Sequence, residues 1–268
     1  MQPAPATDTS PLFETIAVSK IFGGFRALNS VSFQVRDSEF VSIVGPNGAG
    51  KTTLVNIITG LLRPTAGEVR FHGRDIAGIG PVELARLGMA RSFQLVNIFP
   101  ALTVRETLGV AVASRLRRVS NPFRSLWGDE RLQADAARIA DVLGLRARLD
   151  TVASTLSQGE KKLLDIASAF ALDPSVILLD EPTSGVSTAD KHAIMEVLVA
   201  AAKAAGVRAI VQVEHDMDLV ERYSHRIVAL QEGRVLADMP PDAFFADPAM
   251  SAAVVGTRPQ TLRGRADA

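Results

Sequence analysis

Apolar residues recur along this chain at two spacings, and the change from one to the other divides it into three stretches. Early on, residues 13–18, 31–35, 40–44 and 68–71 are short apolar or alternating runs, set apart mostly by glycine or polar residues, and read as strands. Late in the chain, 175–179 and 208–213 are nearly continuous apolar runs, the mark of strands covered on both faces. Residues 226–230 and 234–237 flank Gln231-Glu232-Gly233 and should pair as a hairpin. Between these groups, from about residue 100 to 155, strand patterns vanish. There Thr103 and Glu106 form a capping box that opens a helix toward Ala113. Asp129 can cap a second helix, whose Leu132, Ala136, Ile139 and Leu143 recur at helical spacing until Gly144 stops it. Asn121-Pro122-Phe123 interrupts the two.

The pattern predicts an α/β fold with a mainly parallel sheet core, an antiparallel β piece from the N-terminal strands, and an inserted helical subdomain. The expected domain covers 12–256, with the helical part at about 100–173. Segments 1–11 and 257–268, the first proline-rich and the second polar, read as flexible tails. Arg115, Arg117, Arg118 and Arg124 cluster at the break between the helices. A solvated helix end is the first reading of that cluster, and a surface facing lipid or a partner the second.

Onto this frame falls Gly45-Pro46-Asn47-Gly48-Ala49-Gly50-Lys51-Thr52-Thr53, which fits G-x-x-x-x-G-K-[ST] at every fixed position. It sits between a predicted strand and a predicted helix start, as a phosphate cradle requires. Glycines let successive N–H groups turn inward, and the helix N-terminus adds its positive end. Lys51 can neutralise β/γ-phosphate charge and the Thr52 hydroxyl can sit on Mg²⁺. A glycine-rich turn with an incidental Lys-Thr is the competing reading, and four matched positions with the right flanks set it aside. The motif implies binding of a nucleoside triphosphate.

Two further strings follow. Leu156-Ser157-Gln158-Gly159-Glu160 opens a helix, with Ser157 at the N-cap, Gly159 allowing close backbone approach, and Leu163, Ile166, Ala167 and Phe170 as its apolar face. Val176-Ile177-Leu178-Leu179 then ends in Asp180-Glu181. After a buried strand, in a chain with a P-loop, this pair is placed to hold Mg²⁺ through water (Asp180) and to polarise an attacking water (Glu181).

Composition narrows the rest. In 268 residues, 29 basic and 29 acidic side chains balance, so nothing in the totals argues for nucleic acid as the main ligand. There is no cysteine, which excludes disulfides and thiolate metal sites. No apolar run approaches the ~20 residues that span a bilayer, and the N-terminus lacks signal-peptide character. If the chain works at a membrane, other polypeptides do the spanning.

Taken in order, these motifs resemble the ATP-binding subunits of ABC transporters over roughly 13–256. The resemblance implies the P-loop ABC ATPase fold, with ATP and Mg²⁺ as ligands. It also gives other residues a role. Phe22, ahead of Gly23-Gly24, corresponds to the aromatic that stacks on adenine, though a lone Phe could equally be core. Gln94, ending Ala90-Arg91-Ser92-Phe93-Gln94, would reach Mg²⁺ and the attacking water, and His215 would contact the γ-phosphate. In the family two copies meet head to tail, and the signature 156–160 of each covers the phosphate held by the other. Two departures stand out. Glu160 replaces the usual glutamine, which puts a carboxylate near phosphate unless it points away. Ser187 stands where aspartate is common. Details such as Lys20-Ile21-Phe22-Gly23-Gly24 and Glu214-His215-Asp216 are similar to importers of branched-chain and hydrophobic amino acids, a group that also moves urea, amides and aromatic acids. That likeness implies two membrane permease subunits, a second ATPase subunit (a copy or a paralogue), a periplasmic binding protein, and a peripheral place on the cytoplasmic face of a bacterial inner membrane. A lipopolysaccharide-extracting ATPase, or a cassette outside transport, is the alternative.

Overall fold

The computed structural model describes residues 10–92, 99–116 and 128–255. Ten strands and nine helices lie among them. Strands β1 (Phe13–Phe22), β2 (Phe25–Val35), β4 (Ala66–Phe71) and β5 (Arg74–Asp75) form an antiparallel sheet in the order β2-β1-β4-β5. β3 (Glu39–Val44), β6 (Met89–Arg91), β7 (Val176–Asp180), β8 (Ala209–Val213), β9 (Arg226–Gln231) and β10 (Arg234–Met239) form the second, ordered β10-β9-β3-β8-β7-β6. All its pairings are parallel except the β9–β10 hairpin. This is the sheet arrangement expected from the sequence. β1 and β2 run longer than their apolar cores, because Gly23 and Gly24, both at positive φ, turn one directly into the other.

The helices are α1 (Lys51–Ile58), α2 (Pro81–Leu87), α3 (Val104–Arg115), α4 (Glu130–Val142), α5 (Gln158–Phe170), α6 (Thr188–Ala205), α7 (Met217–Tyr223), α8 (Pro241–Ala246) and α9 (Pro248–Val255). Thr103 and Glu106 make the predicted capping box, Asp129 caps α4 through the Arg131 N–H, and left-handed Gly144 follows its end. Leu108 of α3, Leu132 and Ile139 of α4 and Leu164 of α5 pack into one cluster with Ile194 and Leu198 of α6 and with Ile177 and Ile210 of the sheet. The helical stretch therefore shares a core with one sheet face. At about 25 cal/mol per Å² of apolar surface removed from water, that shared burial is the main force holding the layers together. The other face packs on α1 and the antiparallel strands, through Leu54, Ile58, Val18 and Leu28.

Two expectations change. Ile166, Ala167 and Phe170 of α5 are buried as expected, but Leu164 is fully buried beside them while Leu163 is only partly covered against the same cluster. Arg115 is no solvated helix end. It pairs with Asp135 on α4 at 2.5 Å and with Asp173 at 3.4 Å, and so fastens α3 to its neighbours. Arg117, Arg118 and Arg124, Gln94 and both predicted tails, apart from Ser10 and Pro11, lie outside the described residues. Among the described residues no helix is long and apolar enough to cross a membrane.

Candidate functional site

Strands β3, β8 and β7 are neighbours and run parallel, so their C-terminal ends deliver three segments to one edge of the sheet. β3 leads into the P-loop, β7 into Asp180-Glu181, and β8 into Glu214-His215. Ligands of open parallel sheets bind outside this edge. Asn47, Gly48, Ala49, Gly50, Lys51, Thr52 and Thr53 line a cavity of about 280 Å³ together with Glu181 and His215. A larger cavity of about 470 Å³ adjoins it, sharing Thr52 and Glu181 and adding Asp180, Arg91 and Lys162.

The loop is built for backbone approach. A Cβ on Gly45 would lie 2.2 Å from the Leu230 carbonyl oxygen, and one on Gly50 would lie 2.7 Å from the Ala27 carbonyl oxygen. Both glycines have positive φ, so no other residue fits without moving β9 or β2. Gly50 caps α1 with no side-chain hydrogen bond, which leaves that helix end to a ligand. Lys51 is 7% exposed, and its Nζ donates to the carbonyls of Gly45 at 2.7 Å and Pro46 at 3.0 Å. Burial holds its pKa below the ordinary lysine value, against the opposing charges of Glu181 and Asp180.

Glu181 has a left-handed backbone, φ 49°, a strained position for a non-glycine residue. Its N–H donates to Val213 O at 3.0 Å, and its carbonyl accepts from Lys162 at 3.2 Å. Its carboxylate lies 3.0 Å from His215 Nε2. Four partners of this machinery have no local signature in the sequence. Arg91, nearly buried, binds Asp180 at 2.7 Å and Asn56 of α1 at 2.7 Å. Lys162 of α5 reaches Ser184 at 2.8 Å. Buried Glu214 accepts from the Thr183 hydroxyl at 2.5 Å and from the His215 N–H at 2.8 Å, so both its oxygens fix the loop that carries His215. A lone charge in or just after an apolar strand was the only hint of Arg91 and Glu214.

Phe25, not Phe22, lines the P-loop cavity. Phe22 stands across the hairpin turn, 45% exposed, with the Lys20 ammonium 5.1 Å from its ring centre. No cluster of three metal-ligating side chains occurs among the described residues. Thr52 and Asp180 line the same cavity, a hydroxyl and a carboxylate of the kind that a hard cation takes.

Ser157, Gln158, Gly159 and Glu160 line neither cavity. Ser157 and Glu160 close a capping box on each other, at 3.2 Å and 2.9 Å, and Glu160 also binds Arg148 at 2.6 Å. Glu160 thus points back along its own chain. Gly159 carries ordinary helical φ, and a Cβ there would meet Val186 and Ile194 at 3.7 and 3.9 Å, normal contact distances. Ser187 caps α6 through the Asp190 N–H at 3.3 Å.

Comparison with known proteins agrees with this geometry. Residues 28–184 match the family model described as ABC transporter. The high-affinity branched-chain amino acid transport ATP-binding protein LivG of Salmonella typhimurium is 34% identical over 255 residues, covering 92% of this chain and 99% of that protein. A solved ATP-binding cassette of an ABC transporter in its ADP conformation superposes with a TM-score of 0.81 at 31% identity, covering 93% of this chain and all of that one. A dimeric cassette in a post-hydrolysis state, bound to ADP and Pi, superposes at 0.70 and 26% identity over 85% of this chain and 98% of that one. A P-loop cavity lined by Glu181 and His215, in a fold shared with such cassettes, leads to one conclusion: the chain belongs to the ABC transporter family, as an ATP-hydrolysing cassette.

Proposed function

We propose that this cassette powers uptake of branched-chain or similar hydrophobic amino acids through two separate membrane subunits. One observation carries the chemical part: P-loop, Glu181 and His215 open on one cavity, while the 156–160 segment stands outside it. Residues 12–256 act as one nucleotide-binding domain, with 100–173 as its helical subdomain. Lys51 and the loop N–H groups hold the phosphates, with Phe25 at hand for the base. Glu181 polarises the attacking water, His215 steadies Glu181 and the γ-phosphate, and Gln94 completes the set. Thr52, Asp180 and Gln94 would hold Mg²⁺, which would neutralise phosphate charge when bound.

Gly159 supports a second half-site. Gly159 lies in the first turn of α5, where glycine costs up to about 1 kcal/mol relative to alanine, and no contact within the chain forbids a side chain there. The space above it serves a second cassette, a copy or a paralogue, whose phosphate meets Ser157, Gln158 and Gly159. The substrate class follows LivG, and with it a periplasmic binding protein and a peripheral place on the cytoplasmic face of the membrane. The test is reconstitution. Vanadate-sensitive ATPase activity should rise when the permease and the loaded binding protein are added. Activity indifferent to them would end the transport reading.

A further inference from the structure

Resting on that two-cassette reading, we infer that Arg148 is a positioning residue that makes an acidic signature compatible with phosphate. The problem it answers is electrostatic. Glu160 sits in the first turn of α5, within four residues of the Ser157 and Gly159 that face the partner's triphosphate. An unscreened carboxylate there opposes the anion that the helix end attracts. Its two oxygens are both engaged. Oε2 accepts the Ser157 N–H at 2.9 Å, and Oε1 accepts Arg148 Nε at 2.6 Å. The first contact folds the carboxylate back onto the helix end, and the second cancels its charge with a guanidinium from the short 3₁₀ turn Arg146–Arg148.

On a free surface such a pair contributes little. Here Glu160 is the less exposed partner, 25% against 53%, and a second cassette docking on α5 would strip water from both. The neighbouring groups are consistent with this arrangement. Lys162 is turned to Glu181 and Ser184. Arg148 is the cation paired with this carboxylate, and it acts through Glu160, not on the reacting atoms.

A charge cycle tests the inference. ATP-driven dimerisation is measured by light scattering in the Glu181→Gln background, with the cognate second cassette present. The parent should dimerise on Mg-ATP; failure there overturns the two-cassette reading and this inference with it. Arg148→Ala should raise the ATP concentration for half-dimerisation about three- to ten-fold, the scale of one unit charge several ångströms from phosphate at partial screening. Adding Glu160→Gln to Arg148→Ala should restore the parental value, because glutamine keeps the capping box and removes the charge. A parental value for Arg148→Ala overturns the inference. So does a double variant as weak as the single one, which would mean that Arg148 serves the partner's nucleotide directly. Thermal melts of the monomers separate loss of charge balance from loss of fold.

Discussion

Two helix ends that the proposed function assigns to phosphate are finished in opposite ways. α1 begins at a glycine with no side-chain cap, and its first residue, Lys51, is turned back onto the loop carbonyls. α5 begins with a complete capping box whose carboxylate is also ion-paired. The α1 end is enclosed by its own chain, with Glu181 and His215 across the cavity. The α5 end faces outward. An end that receives its ligand within one chain can be left unsatisfied, because the surrounding fold pre-organises it. An end that waits for another molecule must stay folded alone, so it caps itself and keeps its contact surface bare.

The largest effect that separates the two ends is chemical. Glu181→Gln should lower ATP turnover by about 10²–10⁴-fold, the span of general-base contributions, while Mg-ATP still binds and still drives pairing through α5. Turnover near wild type would remove Glu181 from the chemistry. Next, one substitution made at both sites should part them. Gly45→Ala forces a Cβ onto the Leu230 carbonyl at positive φ and should destabilise the fold by about 1–3 kcal/mol, as overpacking does. Gly159→Ala should leave the fold unchanged or firmer by up to about 1 kcal/mol and yet weaken ATP-driven pairing. Urea titrations and light scattering read the two effects, and an unfolded Gly159→Ala would break the contrast. On a similar scale, Thr183→Val should cost about 1–3 kcal/mol by leaving the buried Glu214 oxygen short of its donor.

The α1 end was legible in the sequence because its residues are contiguous and their strand and helix flanks are periodic. The apolar runs at 40–44, 175–179 and 208–213 became neighbouring parallel strands, so the three motifs they carry converge. What stayed hidden was pairing at a distance. Arg91 and Asp180 are 89 residues apart, and Thr183 and Glu214 are 31 apart, with no local period linking them. β1 outran its predicted end because positive φ at Ala17 and Ser30 and the register shifts there break the two-residue alternation. The fold of Glu160 was hidden for the same reason. Its box with Ser157 is local, but Arg148 lies in a short turn that no periodicity marks.

The gentlest test uses pH, and it should move the two ends in different windows, α5 in acid and α1 in the alkaline range. At α5, the Ser157 N–H and then Arg148 hold the Glu160 carboxyl below its ordinary value. The folded state therefore binds the proton less readily than the unfolded one. Its contribution is complete above the ordinary carboxylate range and is lost as pH falls through the depressed folded value. Wild type should exceed Glu160→Gln by a few tenths of a kcal/mol near neutrality, the scale of an exposed pair, and the gap should close in acid. At α1, burial lowers the Lys51 pKa, so the charged lysine is disfavoured in the empty fold. Between that lowered value and the ordinary one the unfolded chain binds more protons, and stability rises with pH. Wild type should therefore gain on Lys51→Met as pH climbs through the alkaline range. Bound nucleotide should erase that gain, because phosphate supplies the counter-charge that the buried ammonium lacks. Urea titrations of the three proteins, with and without nucleotide, read both windows, and a wild-type advantage over Lys51→Met that stays flat through the alkaline range would erase the distinction between them.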